Sequence, residues 1–235
     1  MIKLYQLDHS LRFPGPSTAL SDPPGLLAYG GDLTVDRLKF AYQNGIFPWY
    51  SEGEPILWWS PDPRGILPLD NFRVSRSLAK FIRKTPLQVT LNKDFSQVIK
   101  ACADASRQDS GTWISTDMIS AYQRLHDAGY AQSIEVWDDR ELVGGLYGVT
   151  VGALFCGESM FHHSTNASKL AMFYLVQHLR AQGCEFIDCQ MQNSHLASLG
   201  CIEIPRSEFL AKLHQATRSD LDKSLWQSVE LTSRS

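Results

Sequence analysis

Along the second half of the chain the apolar positions fall into short runs that end at polar or glycine breaks, and these runs predict the elements. Ser133 to Trp137, Glu141 to Thr150 and Ala153 to Met160 read as three strands joined by Asp138-Asp139 and by Gly152, which makes an antiparallel meander. A helix is predicted from about Asn166 to Gln182; Leu170 to Val176 are apolar in unbroken succession, so it should be buried on nearly all sides. Cys184 to Gln190 reads as a central strand, a short helix surrounds Leu196, and Ile202 to Ile204 form a last strand. After about Asp220 the tail is polar and is expected to be loosely held.

Upstream, Gln88 to Leu91 reads as a strand, followed by a helix capped by Asn92 or Asp94 and running to about Ala103. A second helix begins after Ser115, with Thr116 or Asp117 as its cap, and passes through Ile119, Tyr122 and Leu125 to a stop at Gly129. The stretch 1–65 is different: it is dense in Pro, Gly and Trp and holds no long period. Thr34 can cap a short helix through Leu38, Ala41 and Tyr42 that stops at Gly45. Pro48, Pro55, Pro61 and Pro63 then force extended or turned chain. These features predict a small loop-rich N-terminal domain. Meander, buried helix, strand, helix, strand is the order of the acetyltransferase-like α/β (α+β) fold, which by itself specifies no chemistry.

With 43% hydrophobic and 20% charged residues, the 235-residue chain can bury a sizeable core and shows no bias toward disorder. No apolar stretch approaches the ~20 residues that cross a bilayer, and no basic-then-apolar leader opens the chain, so a soluble, cytoplasmic protein without membrane association is expected. The five cysteines are an odd set with no Cys-x-x-Cys pair, which argues against a disulfide framework and a structural zinc site. A net charge of −3 leaves only local attraction for nucleic acid. One segment supplies it: no Asp or Glu falls between Asn71 and Lys93, while Arg73, Arg76, Lys80, Arg83 and Lys84 do. Arg76, Lys80, Arg83 and Lys84 follow the i, i+4, i+7, i+8 spacing of one helix face, leaving Leu78, Phe81 and Ile82 to pack elsewhere. Such a stripe can track a phosphate backbone or can be an ordinary solvated face.

Several catalytic signatures are absent. Gly157-Glu158-Ser159-Met160-Phe161 begins like a nucleophile elbow but ends in Phe. His162, His163, His178 and His195 match no zinc template with Cys184 and Cys189, so no metal is expected. No phosphate-cradling loop or dinucleotide fingerprint occurs, and no cofactor is expected. An acetyl-coenzyme-A enzyme would place glycines in the loop before its buried helix to approach the pyrophosphate, and Phe161 to Ala167 has none. Asp188 and Gln190, two apart on a strand, share a face. They offer a carboxylate for a cationic group and an amide for an amine, or they simply end the strand. Glu158 ends the preceding strand near them, and Leu146, Phe155, Met160, Met172 and Ile187 make either an apolar pocket or plain core. Trp49, Trp58, Trp59 and Trp113, all in loop-like segments, suit stacking on bases as well as anchoring an irregular domain. An N-acetyltransferase and a non-enzymatic RNA-binding module therefore both remain open on these residues.

Seven segments in order resemble the leucyl/phenylalanyl-tRNA-protein transferase family, the likeness fading after about Pro205. They are Gly30-Gly31-Asp32-Leu33, Gly45-Ile46-Phe47-Pro48-Trp49, Trp58-Trp59-Ser60-Pro61-Asp62-Pro63-Arg64, Gly111-Thr112-Trp113-Ile114, Phe155-Cys156-Gly157-Glu158-Ser159-Met160-Phe161, Asn166-Ala167-Ser168-Lys169 and Ile187-Asp188-Cys189-Gln190. The resemblance implies a small N-terminal domain over 1–65 and a GNAT-type catalytic domain over 66–235. It implies a monomeric cytoplasmic enzyme that moves Leu or Phe, and Met less well, from Leu-tRNA or Phe-tRNA to proteins with N-terminal Arg or Lys, marking them for N-degron proteolysis. By the same resemblance Asp188 and Gln190 are the catalytic pair, Glu158 and Asp188 bind the acceptor, and Trp49 contacts the terminal adenosine. Leu146, Phe155, Met160, Met172 and Ile187, with Trp113 and Tyr122 nearby, form the amino-acid pocket, and Arg76, Lys80, Arg83 and Lys84 belong to the tRNA-binding cluster. Leu146 stands where relatives often have methionine, a swap of similar volume, and Cys201 stands where a smaller residue is common.

Overall fold

The computed structural model describes residues 4–109, 113–219 and 223–232; Gly111 and Thr112 of the fourth family segment lie outside them. The N-terminal part, expected to be mostly loop, is built on a four-stranded sheet. Its strands are β1 (Tyr5–Leu7), β2 (Leu26–Gly30), β3 (Phe47–Pro48) and β4 (Leu57–Trp59), in the order β1-β2-β4-β3. None is longer than five residues, too short for an alternating pattern to stand out among prolines and glycines. Helix α1 (Val35–Gln43) lies between β2 and β3 and is capped as expected, Thr34 Oγ1 accepting from the N–H of Arg37.

The second sheet has eight strands in the order β11-β5-β10-β9-β8-β7-β6-β12. Here β5 is Arg64–Pro68, β6 Gln88–Leu91, β7 Ala131–Asp138, β8 Glu141–Val151, β9 Leu154–His162, β10 Phe186–Gln190, β11 Ile202–Ile204 and β12 Val229–Glu230. Strands β7, β8 and β9 are the expected meander. Among the described residues the sheet has one parallel contact, β9 with β10, and the long crossover between them is the expected buried helix, α5 (Ala167–Ala181). Helices cover both faces: α3 (Phe95–Asp109), α4 (Thr116–Asp127), α1 and α7 (Arg206–Thr217) contribute to one core, α5 and the expected short helix α6 (Ser194–Leu199) to the other. Strand β7 is accordingly buried along nearly its whole length. The basic segment forms α2 (Arg76–Lys84): Leu78 is buried, Phe81 and Ile82 pack on the α5 core, and Arg76, Lys80, Arg83 and Lys84 are exposed. A mixed α/β fold with a smaller N-terminal sheet is therefore what the chain adopts.

Four expectations need correction. Ser115, not Thr116 or Asp117, caps α4, its Oγ accepting from the Met118 N–H at 3.3 Å. Helix α3, capped by Asp94, runs on to Asp109 instead of stopping near Ala103. Helix α7 was not foreseen; it buries Phe209 and Leu213, too few anchors to mark a period. Finally, the polar tail does not hang free over residues 223–232: β12 pairs with β6, Asn92 Nδ2 donates to the Trp226 carbonyl, and the Trp226 ring stacks on Phe155. The cap correction carries a measurable consequence. Ser115→Ala should cost about 1 kcal/mol in urea unfolding, whereas Thr116→Ala should fall well below that; the reverse order would restore the sequence-based cap.

Candidate active site

The pairing between β9 and β10 covers Phe155 with Ile187 and Cys156 with Asp188. Directly beyond, each strand carries an irregularity. Against β8, Tyr147 pairs Ser159 while Gly148 pairs Gly157, so Glu158 is the extra residue of a bulge. Against β5, Asp188 pairs Ile66 and Gln190 pairs Gly65, leaving Cys189 as the extra residue. Gly148 is required at the first bulge, since a Cβ there would overlap the Cys156 carbonyl and the Phe155 ring. Gln190 completes the second bulge with a left-handed backbone, φ +62°.

A cavity of about 530 Å³ lies where the two strands part. Leu146, Phe155, Met160, Met172 and Ile187 line it, as does Trp113. Gly157, Glu158, Cys189 and Gln190 come from the parted strands, and Trp49 shares the wall. Trp49 remains 39% exposed, packed edge-on to Trp59, whose Nε1 donates to the Trp49 carbonyl. Two expected site residues are not on the wall. Tyr122 is fully buried and stands behind Glu158, and Asp188 is 1% exposed and faces the interior.

Asp188 is held by a residue to which the sequence reading gave no role. Arg64, also 1% exposed, donates from Nε to Asp188 Oδ1 at 2.8 Å and from Nη2 to Oδ2 at 2.7 Å, a bidentate pair. Its Nη1 donates to the Gly45 carbonyl at 3.0 Å, and its guanidinium lies over the rings of Phe47 and Phe209. Both carboxylate oxygens are thus occupied, so the carboxylate does not open toward the cavity as its place on the strand suggested. Asp188 Oδ1 also accepts the backbone N–H of Gln190 at 2.9 Å, which fixes the bulge.

Glu158 is the carboxylate that reaches the cavity. Its Oε1 accepts from Gln190 Nε2 at 2.7 Å and from the Tyr42 hydroxyl at 2.7 Å, and its Oε2 accepts from the Tyr122 hydroxyl at 3.1 Å. Burial raises its pKa to about 7, with Asp188 adding to the rise and the tyrosine and Gln190 hydrogen bonds opposing it. Burial and the neighbouring carboxylate push the Tyr42 and Tyr122 phenols well above their ordinary range, so both stay protonated and donate. The sequence reading placed Tyr42 on the short helix but gave it no site role: its ring looks like one more core position, and nothing local announces a partner 116 residues away.

Comparison with known proteins decides the family. Residues 66–214 match leucyl/phenylalanyl-tRNA protein transferase and residues 31–62 match the N-terminal domain of the same family. The chain belongs to this transferase family. A leucyl/phenylalanyl-tRNA–protein transferase of Pseudoalteromonas atlantica is 71% identical over 232 residues, covering 99% of each chain. Its namesake from Pseudoalteromonas translucida is 54% identical over 230 residues, covering 97% of each. Among solved structures, that of L-PGS from Bacillus licheniformis aligns at 12% identity with a TM-score of 0.40, over 71% of this chain and 53% of the other. Four of the seven segments reach the cavity, through Trp49, Trp113, Glu158 and Gln190.

Breaking the buried pair at one end should be severe. Arg64→Met leaves Asp188 buried without its cation and should cost about 3 to 5 kcal/mol in denaturant unfolding, and the double variant Arg64→Met with Asp188→Leu should regain much of that loss. Equal stability of the single variant and the parent would contradict the pairing.

Proposed function

We propose that the chain transfers leucine or phenylalanine from aminoacyl-tRNA to the N-terminal Arg or Lys of an acceptor protein in the cytoplasm, forming a peptide bond that marks the acceptor for degradation. The observation that carries this reading is a single cavity in which an apolar wall meets Glu158 and the Gln190 amide. Leu146, Met160 and Met172 suit a flexible or flat apolar side chain, and shape must reject the β-branched ones because a methylene is worth only ~1 to 3 kcal/mol. Trp49, with its exposed indole, suits stacking on the terminal adenine. In support of the same reading, among the described residues no helix is long and apolar enough to cross a membrane.

The aminoacyl ester is already activated, so alignment of amine and carbonyl supplies much of the rate. In this reading Gln190 orients the α-amine, and Glu158 supplies the negative charge that the expected scheme drew from Asp188. Asp188, neutralised by Arg64, acts through the Gln190 backbone it holds. The exposed cations Arg76, Lys80, Arg83 and Lys84 of α2 meet the tRNA backbone.

Incubation with labelled Phe-tRNA and model proteins beginning with Arg, Lys or Ala should place label on the first two; label on none, or on all three alike, would sink the reading. Arg83→Glu with Lys84→Glu should weaken tRNA binding and lower the slope of log affinity against log salt by about 1 to 2. An unchanged slope would remove α2 from the tRNA interface.

A further inference from the structure

Formation of the peptide bond requires that a proton leave the attacking nitrogen, and two of the polar groups around it are poor receivers. The Gln190 amide is not a base, and both oxygens of Asp188 are taken by Arg64. Glu158 is placed differently. Three donors, Tyr42, Tyr122 and Gln190, fill three of the roughly four acceptor positions of its carboxylate, and the residue lines the cavity.

The tyrosine pair gives this carboxylate partners in both protonation states and a complete set in the protonated one. Its hydroxyl oxygens are in contact at 2.5 Å, and each also contacts a different oxygen of Glu158. With Glu158 ionised, both phenols can donate to it, but their two hydrogens then leave the third contact, between the hydroxyl oxygens, without one. With a proton on Oε2, the hydrogen bonds close into a ring in one direction: Glu158 donates to Tyr122, Tyr122 to Tyr42, and Tyr42 to Oε1. Three oxygen contacts then use three hydrogens, so gaining a proton leaves no buried polar atom of this group unpaired.

We propose that Glu158 is the proton acceptor of the reaction and that Tyr42 and Tyr122 are positioning residues that let it gain and release that proton. The proposal rests on the transfer reading above. The neutral α-amine attacks the ester carbonyl carbon and the N–C bond forms; the nitrogen gives its extra proton to Glu158. As the bond from carbon to the ribose oxygen breaks, Glu158 returns the proton to that oxygen, and the carboxylate is regenerated with no net change. A group with a pKa near 7 suits both halves of this cycle at neutral pH. The titratable or charged groups facing Glu158 are Tyr42 on α1, Tyr122 on α4, Tyr147 on β8, Cys156 on its own strand, and Asp188 on β10, which Arg64 of β5 neutralises. Burial pushes all three phenols and the Cys156 thiol well up, so none of them titrates alongside Glu158 near neutrality.

The test measures kcat against pH with Phe-tRNA and an Arg-initiated peptide, both saturating. In the unmodified chain kcat should rise through about pH 7. Glu158→Gln should lower kcat by about 100-fold or more, raise the acceptor KM as the charge is lost, leave the Phe-tRNA KM within a few-fold, and remove the inflection. Tyr42→Phe, which takes away one donor to the ionised form, should move the inflection to higher pH while activity recovers above it. Glu158→Gln with kcat retained, whether the acceptor KM rises or not, overturns the proposal, because the carboxylate is then only an electrostatic anchor. If that variant does not fold, an unmoved inflection in Tyr42→Phe overturns it equally. Absence of transfer by the unmodified chain would fall on the functional reading instead.

Discussion

Everything at the site depends on the buried ion pair between Arg64 and Asp188. Two charges removed from water are not a cheap way to gain stability, and an apolar pair of the same volume would often serve a core as well. What the pair does supply is registry. Arg64 begins the large sheet, makes two parallel bonds to Asp188, and donates from Nη1 to the Gly45 carbonyl, just past the end of the helix that carries Tyr42. The rings of Phe47 and Phe209 hold the guanidinium plane from β3 and α7. Three stretches of chain, at 45–47, 64 and 209, are thereby fixed against one carboxylate.

That carboxylate in turn fixes the bulge. With Oδ1 shared between Arg64 Nε and the Gln190 N–H, the backbone at Gln190 is held in a left-handed conformation that a residue with a side chain rarely adopts unaided. The consequence is directional: the Gln190 amide meets Glu158 across the gap between two strands that no longer pair. Arg64, Asp188, Gln190 and Glu158 are therefore consecutive links of one hydrogen-bonded chain, and only the last two reach the cavity.

The periodic parts of this fold were legible. The meander and the α5 crossover have enough residues for their apolar pattern to outweigh noise, the short strand at Gln88 is set off by Pro86 and Asn92 on either side, and Thr34 lay where a cap belongs. The apolar wall was nameable only through the family resemblance, because Leu146, Phe155, Met160, Met172 and Ile187 look like core from any local window, and indeed pack with one. The placement of Glu158 and Asp188 escaped because strand alternation assumes unbroken pairing. A bulge at Glu158 and another at Cys189 change what the two-residue period implies just where the chemistry lies, which turns a supposed strand end into a buried switch point and a supposed open carboxylate into an internal anchor. Arg64 and Tyr42 escaped because a buried polar partner more than a hundred residues away leaves no trace in spacing.

The two bulges also explain why one cavity can serve two chemistries. The large sheet separates an α5 core that is almost wholly apolar from a face covered by α1, α3 and α4, where Tyr42 and Tyr122 lie. An intact sheet would keep the apolar pocket and the tyrosine pair apart. Since β9 and β10 stop pairing after Cys156 and Asp188, the gap lets Glu158 join the tyrosines while its neighbours Phe155 and Met160 stay with the pocket. The helix bearing Tyr42 belongs to the N-terminal part of the chain, so that part completes the polar half of the site and is not an appendage to a self-sufficient catalytic domain. Arg64 falls between the two family-matched stretches, 31–62 and 66–214, and it both begins the large sheet and anchors Asp188 on the strand beside the cavity.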